Sequence, residues 1–288
     1  MNTPNTLAIL AASSILVTST AQAIIVQENF LTGANPAAGE YTVGSVSGQN
    51  PTVTGFTGAW NINAGGGPVI ESAGLSYSNA SGTVASSGGA IAMTNNNSRG
   101  GRQLTAGLDD SSSGTYYLSF MYQQASTFSG YRGIDLFDGG TGSTNRTLGL
   151  TQDSTNDYEL NINAFGATQD NISTIGTDVV FFVMRFDMNS TAESDTFTLY
   201  MNPDLANEPS VALFSASGLD ISFDYIGLER YTSGSSNRTI WLDEIRMSQD
   251  YNEVTTVAVP EPTASAMISG ICILTGAFVI RRRRQAMA

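Results

Sequence analysis

The chain has 288 residues, a net charge of −13, only 13% charged residues, a single Cys, and neither His nor Lys. That composition excludes Ser-His-Asp and Cys-His catalysis, His-bearing zinc sites, Schiff-base chemistry and a lysine-dependent phosphate loop. Apolar residues still make up 41%, with 11 Tyr and 13 Phe, which is enough to build a core.

The chain opens on an apolar run, Leu7 to Val17, followed by Ala21-Gln22-Ala23. Small residues one and three places before a junction suit signal peptidase, so residues 1–23 are expected to be a secretory signal helix cut after Ala23. Between Ile24 and Val259, eight Arg stand against 24 acidic residues, a net −16. A phosphate backbone would be repelled, and nucleic acid is not an expected partner. The one Cys, Cys272, lies outside this region, so stability must come from burial and strand pairing.

Within the body, residues 34–51 are Gly-rich and read as a long loop. Alternation then marks strands. TYYLSFMYQ, from Thr115, is apolar on both faces and reads as a central strand. YRGIDLF (from Tyr131), RTLGLT (from Arg146) and YELNIN (from Tyr158) follow. VVFFVMRFDM, from Val179, puts Val180, Phe182, Met184, Phe186 and Met188 on one face and reads as half-buried. DTFTLYM, from Asp195, turns Phe197, Leu199 and Met201 inward, and the intervening NSTAESD makes the pair a hairpin. FDYIGLER and TIWLDEIRM complete the set. Strands separated by short polar turns, with no long helix between them, predict an all-β fold of two antiparallel sheets packed face to face over residues 24–250. Residues 251–258 read as a linker.

The tail is distinctive. Pro260-Glu261-Pro262 precedes an uncharged stretch, Ala264 to Ile280, and then Arg281, Arg282, Arg283 and Arg284. As a helix, 264–280 would span about 25 Å, just short of a bilayer core of ~30 Å. The arginines would stay cytoplasmic and leave the body outside, in agreement with an exported N-terminus. The two prolines keep their segment extended, as a protease cleft requires.

These three parts in this order resemble the PEP-CTERM sorting signal, here residues 259–284. The same tail is also known as an ice-binding protein C-terminal domain, a label that implies no ice binding. The resemblance implies a membrane transpeptidase, exosortase, as a processing partner beside signal peptidase. It also implies a transient single-pass membrane intermediate and a final location at the cell surface or in the extracellular matrix. Retention of 264–280 as a permanent anchor uses the same residues.

In the body, Gly58-Ala59-Trp60, Gly74-Leu75-Ser76-Tyr77, Ser87-Gly88-Gly89, DTFTLYMNP from Asp195 and Asp243-Glu244-Ile245-Arg246 resemble the concanavalin A-like, laminin-G-like jelly roll. That fold includes glucanases whose catalytic strand carries three acids on one face. The nearest stretch here is Gly133-Ile134-Asp135-Leu136-Phe137-Asp138, with Gly133 in place of the nucleophile and Asp138 in place of the acid/base Glu. No catalytic residue is therefore assigned, and a pair of close carboxylates in a groove is expected to be absent.

Asp135, Asp138 and Asn145 around a Gly-rich turn are candidate calcium ligands, although Asp-Gly is also ordinary turn chemistry. Asp243, on an apolar face, needs a partner, more readily an Arg or a backbone turn than a metal. Trp60 and Trp241 read as core, with stacking on sugar rings as the alternative. The expectation is an exported, noncatalytic surface or matrix protein, structural or binding extracellular polysaccharide. A glycan hydrolase and a calcium-dependent lectin are the alternatives.

Overall fold

The computed structural model describes residues 25–64, 67–94, 98–125, 131–152, 159–191, 193–231 and 239–256. In chain order the strands are β1 (Val26–Glu28), β2 (Gly44–Ser45), β3 (Phe56–Ala64), β4 (Val69–Glu71), β5 (Ser76–Asn79), β6 (Gly82–Ala85), β7 (Ala90–Met93), β8 (Ser98–Leu108) and β9 (Gly114–Gln124). They continue as β10 (Tyr131–Phe137), β11 (Arg146–Gln152), β12 (Glu159–Ala164), β13 (Ala167–Thr174), β14 (Val180–Met188), β15 (Asp195–Met201), β16 (Phe214–Leu219), β17 (Phe223–Tyr231) and β18 (Ile240–Ser248). One short helix, α1 (Tyr251–Thr255), follows.

All paired strands are antiparallel. The first sheet runs β16-β15-β14-β9-β18-β7-β4-β2, with β1 also on β18. The second runs β13-β12-β11-β10-β17-β8-β3, and β5–β6 stand as a separate hairpin. The main core joins both sheets: Leu118, Phe120, Phe182, Phe186 and Phe197 from the first meet Ile134, Leu136, Leu148, Ile226 and Leu228 from the second. Two sheets packed face to face are therefore the architecture.

Residues 115–123 form the predicted central strand, with β14 on one side and β18 on the other. β14 and β15 form the predicted hairpin in the register Phe186↔Phe197. β14 is not half-buried. Phe181 and Val183, on its second face, are fully buried in a separate apolar cluster with Tyr77, Tyr117, Met121, Tyr200, Leu205, Tyr251 and Val254. The β5–β6 hairpin, the chain after β15 and α1 supply that cover, and none of them shows in the local pattern of β14.

Alternation also misleads along β18. Ile240 and Leu242 enter the main core and Trp241 the second cluster, yet Ile245 and Met247 return to the main core. A register shift between Asp243 and Arg246 changes which residues face inward, and Glu244 takes a positive φ of 49° there. The bulge divides the strand. Its first half pairs with β7, and its second half, on the same side, pairs with β1.

The segment read as a linker is partly folded. Asp250 caps α1 through Asn252 N–H at 2.9 Å, and Val254 and Thr255 are buried. The body thus reaches Thr256. Among the described residues no helix is long and apolar enough to cross a membrane. The expected signal segment 1–23, with Ala21 and Ala23, and the sorting segment 259–284 lie outside the described residues.

Candidate functional site

The outer face of the second sheet holds the stretch singled out for its resemblance to a catalytic strand. β10 lies mid-sheet, between β11 and β17. Its inward residues, Ile134 and Leu136, are core, so Gly133, Asp135 and Phe137 point outward. The register sets Gly133 opposite Glu229 and Asp135 opposite Gly227. Glu229 therefore supplies a carboxylate beside the position where the strand itself has lost one. Its partner strand could be identified only after pairing was known, so the sequence offered no signal for it.

Asp135 and Glu229 share one guanidinium, Arg146, and both are buried. Asp135 is fully buried and pairs with the Arg146 guanidinium at 3.1 Å. Arg146 also bonds Glu229, whose other oxygen accepts from Arg99 at 2.9 Å. The two acids are bridged and capped by two arginines. A glycosidase needs one carboxyl that can hold a proton next to the sugar and another that can reach the anomeric carbon. Here each carboxylate is paired with a guanidinium within the protein.

The loop after β10 adds cover. Gly101 and Gly227 are paired on the same face. A Cβ on Gly101 would come 2.8 Å from the Thr141 methyl, and one on Gly227 would come 3.0 Å from the Phe137 ring. Two adjacent glycines thus make the space into which Phe137 and Thr141, both buried, settle.

Of the candidate calcium ligands, Asp138 and Asn145 meet across one turn, while Asp135 lies apart from them in a buried ion pair. Asp135 is committed to Arg146. Asp138 is exposed; its backbone N–H donates to Asn145 O at 2.9 Å, and Asn145 Nδ2 donates to Asp138 O at 2.7 Å, so Asn145 closes the turn. Asp138 instead borders a pocket of about 470 Å³ at one end of the sandwich, with Asp109, Asp110, Ser111, Asp220 and Ser222. Ser222 Oγ donates to its carboxylate at 3.1 Å. Asp110 has its pKa raised because Asp220 shares a hydrogen bond with it and adds like charge. Among the described residues no group of three or more His, Cys, Asp or Glu is placed to hold a metal.

Two further buried networks are structural. Glu28 accepts from Tyr41 Oη at 2.5 Å and from Phe30 N–H at 3.0 Å, and pairs with Arg102 at 3.3 Å. Burial pushes its pKa up to about 7 against those partners. Arg102 continues to the carbonyls of Gly58 and Pro51, fixing the 34–51 loop to the body. Asp243 accepts from the N–H groups of Leu75 at 2.8 Å and Glu244 at 2.7 Å, the backbone partner expected for it. Burial pushes it up to about 8, with the charge of Glu244 adding to the rise. Glu244 in turn accepts from Ser87 N–H at 2.9 Å and Arg246 at 2.6 Å. Trp60 is core and donates to Tyr41 at 3.2 Å; Trp241 is partly buried and donates to Glu71 at 2.8 Å.

No family model matches the chain, and no curated relative does. Solved structures do. The binding domain of Paraclostridial Mosquitocidal Protein 1 aligns at 15% identity with a TM-score of 0.43, over 81% of this chain and 51% of that one. The Botulinum Neurotoxin Type G receptor binding domain aligns at 10% identity with a TM-score of 0.40, over 68% and 45%. The binding domain of Botulinum neurotoxin serotype D aligns at 9% identity with a TM-score of 0.42, over 68% and 46%. The chain spans about half the length of these structures.

Proposed function

We propose that the chain is an exported, noncatalytic surface or extracellular-matrix protein. Its body is a jelly-roll sandwich that is structural or binds extracellular polysaccharide. The observation that carries this reading is the sequence of the tail: Pro260-Glu261-Pro262, then an uncharged stretch, then four arginines. In this reading signal peptidase cuts after Ala23. The 264–280 helix then holds the body outside a bilayer, and an exosortase-type transpeptidase works near Pro260 to Pro262.

The capped state of Asp135 and Glu229 supports the noncatalytic part, because each carboxylate already has a guanidinium partner. Retention of the tail as an anchor differs from processing only in whether the cut occurs. Replacement of Arg281 to Arg284 by Ala tests the sorting role. The expected result is failure of correct orientation or processing, read as a longer product that does not reach the surface. A mature product of unchanged size and location would overturn it.

A further inference from the structure

Asp138-Gly139 is the only Asp-Gly step in the chain, and it follows β10 directly. The register Phe137↔Tyr225 carries it alongside Asp224 on β17 and Ser222 just before that strand. Three side chains converge there on one peptide unit and the carboxyl beside it. The Gly139 N–H donates to Asp224 Oδ1 at 2.8 Å. Gln103 Nε2 holds the other Asp224 oxygen at 3.4 Å. Asn145 Nδ2 donates to the Asp138 carbonyl, the opposite end of the same peptide unit, at 2.7 Å. Ser222 Oγ donates to Asp138 Oδ2 at 3.1 Å.

These bonds close the turn, and their polarity also favours a reaction within it. A backbone nitrogen is a poor nucleophile because its lone pair is shared with the carbonyl. A carboxylate on its N–H and a donor on its carbonyl oxygen both stabilise the deprotonated, nucleophilic form. A hydroxyl on the neighbouring carboxyl draws charge away from Cγ. Gly139 has no Cβ to obstruct the approach of its nitrogen to that carbon, and the two groups share one chain, which makes their effective concentration high. Gly139 and Gly140 have φ of 72° and 132°, and a Cβ on Gly140 would meet nothing within 4 Å, so the chain after the nitrogen has room to shift.

We propose that Asp138-Gly139 is a self-modification site at which the folded protein converts Asp138 to an isoaspartyl linkage. Gly139 N attacks Cγ of the protonated Asp138 carboxyl and forms an N–Cγ bond, and the proton on that nitrogen passes to Asp224. A Cγ–O bond then breaks. Its oxygen leaves as water, carrying its own proton and the one returned by Asp224, and a cyclic succinimide remains. Water from the open pocket that Asp138 borders adds to the ring. Addition at Cγ breaks the new bond and restores Asp138. Addition at the main-chain carbonyl breaks its bond to Gly139 N, so the chain now runs through Cβ and Cγ and the carboxylate sits on Cα. One water leaves and one returns, and no oxidant or reductant is needed.

The test holds the purified full chain for weeks in mildly acidic buffer. Peptide mapping with electron-transfer fragmentation locates isoaspartate, and intact mass detects the succinimide as the loss of one water. Isoaspartate should accumulate at Asp138, about tenfold faster in the folded chain than in the same chain unfolded in urea. Asp224→Asn keeps an oxygen to accept the Gly139 N–H but is not a base, and should slow the reaction about tenfold; Ser222→Ala should slow it about threefold. Asp138→Glu, which would have to close a larger ring, should remove the signal. Thermal unfolding confirms that each variant is folded. Absence of isoaspartate at Asp138, an unfolded chain that reacts as fast as the folded one, or Asp224→Asn at the wild-type rate overturns the assignment.

Discussion

The outer faces of the two sheets solve the same problem in opposite ways. On the first sheet, Phe181, Val183, Tyr117 and Met121 are sealed beneath a second apolar layer made by β5–β6, the chain after β15 and α1. On the second, an ionic row, Arg99–Glu229–Arg146–Asp135, lies between paired glycines, with Phe137 and Thr141 folded over them. The first face is held by burial, which is nondirectional and tolerant of similar shapes. The second is held by charges that must all be matched, because an unmatched buried charge costs several kcal/mol. The first face keeps its charged groups in a partly exposed cluster around Glu208 and Arg185, beside the apolar layer. The second pairs its carboxylates with arginines.

The largest effect should come from the apolar face. Phe181 is fully buried and stacks on Tyr77 with ring centroids 5.6 Å apart. Phe181→Ala should cost about 4 kcal/mol, read by chemical denaturation. A loss below ~1 kcal/mol would show that the second layer is not packed on the sheet.

Asp135→Ala on the ionic face comes next. It leaves Arg146 with Glu229 alone and should cost about 3 kcal/mol, reduced by the partial exposure of Arg146. Removal of both charges, Asp135→Leu with Arg146→Met, should recover most of that loss in a double-mutant cycle. A double variant no better than the single one would show that the row is not a matched set.

Acidity separates the buried acids from the surface. Asp243 is raised to about 8 and Glu28 to about 7, so the folded state holds protons that the unfolded chain releases near pH 4. Their contribution is complete below that point and is lost as pH rises through 7 to 8. Glu208 works in the other direction. It is buried enough to be disfavoured as an anion, yet hydrogen bonds from Tyr117, Arg185 and Tyr200 lower its pKa, so its contribution is lost as pH falls below the ordinary carboxylate range. The thermal midpoint should peak near pH 5 and fall toward pH 8 by the equivalent of about 2 kcal/mol, and Asp243→Asn should flatten the fall. A midpoint that rises between pH 5 and 8 contradicts this assignment.

The smallest effect should come from the partly exposed cluster over the first sheet. Glu208→Gln keeps the shape but weakens bonds to Arg185 at 2.8 Å, Tyr117 at 2.7 Å and Tyr200 at 2.9 Å. About 1 kcal/mol is expected by denaturation, and a loss above ~3 kcal/mol would mark the cluster as more than rim support for the apolar layer.

The β class was legible because β9, β10, β14, β15, β17 and β18 each carry a strong alternating or doubly apolar pattern. The strands β2 and β4 were not, since two or three residues are too few to show a period, and in β16 the stretch Ser215-Ala216-Ser217-Gly218 breaks the pattern between Phe214 and Leu219. The second apolar cluster escaped because its cover comes from chain segments remote in sequence. On the candidate site, the sequence singled out Asp135, but the ionic row it joins draws on three other strands: Arg146 from β11, Glu229 from β17 and Arg99 from β8. Pairing register, which no single stretch encodes, decides whether two carboxylates meet and whether arginines cap them. Asn145 shows the same limit at short range. Its side-chain amide donates to Asp138 O and closes the turn it sits in, as ordinary loop chemistry allows.

The exported state is most directly tested by intact mass of the product recovered from the surface or matrix fraction. A polypeptide that begins at Ile24 and ends upstream of Arg281 is the predicted result. A full 288-residue chain in the soluble interior of the cell, whole at both ends, would contradict it.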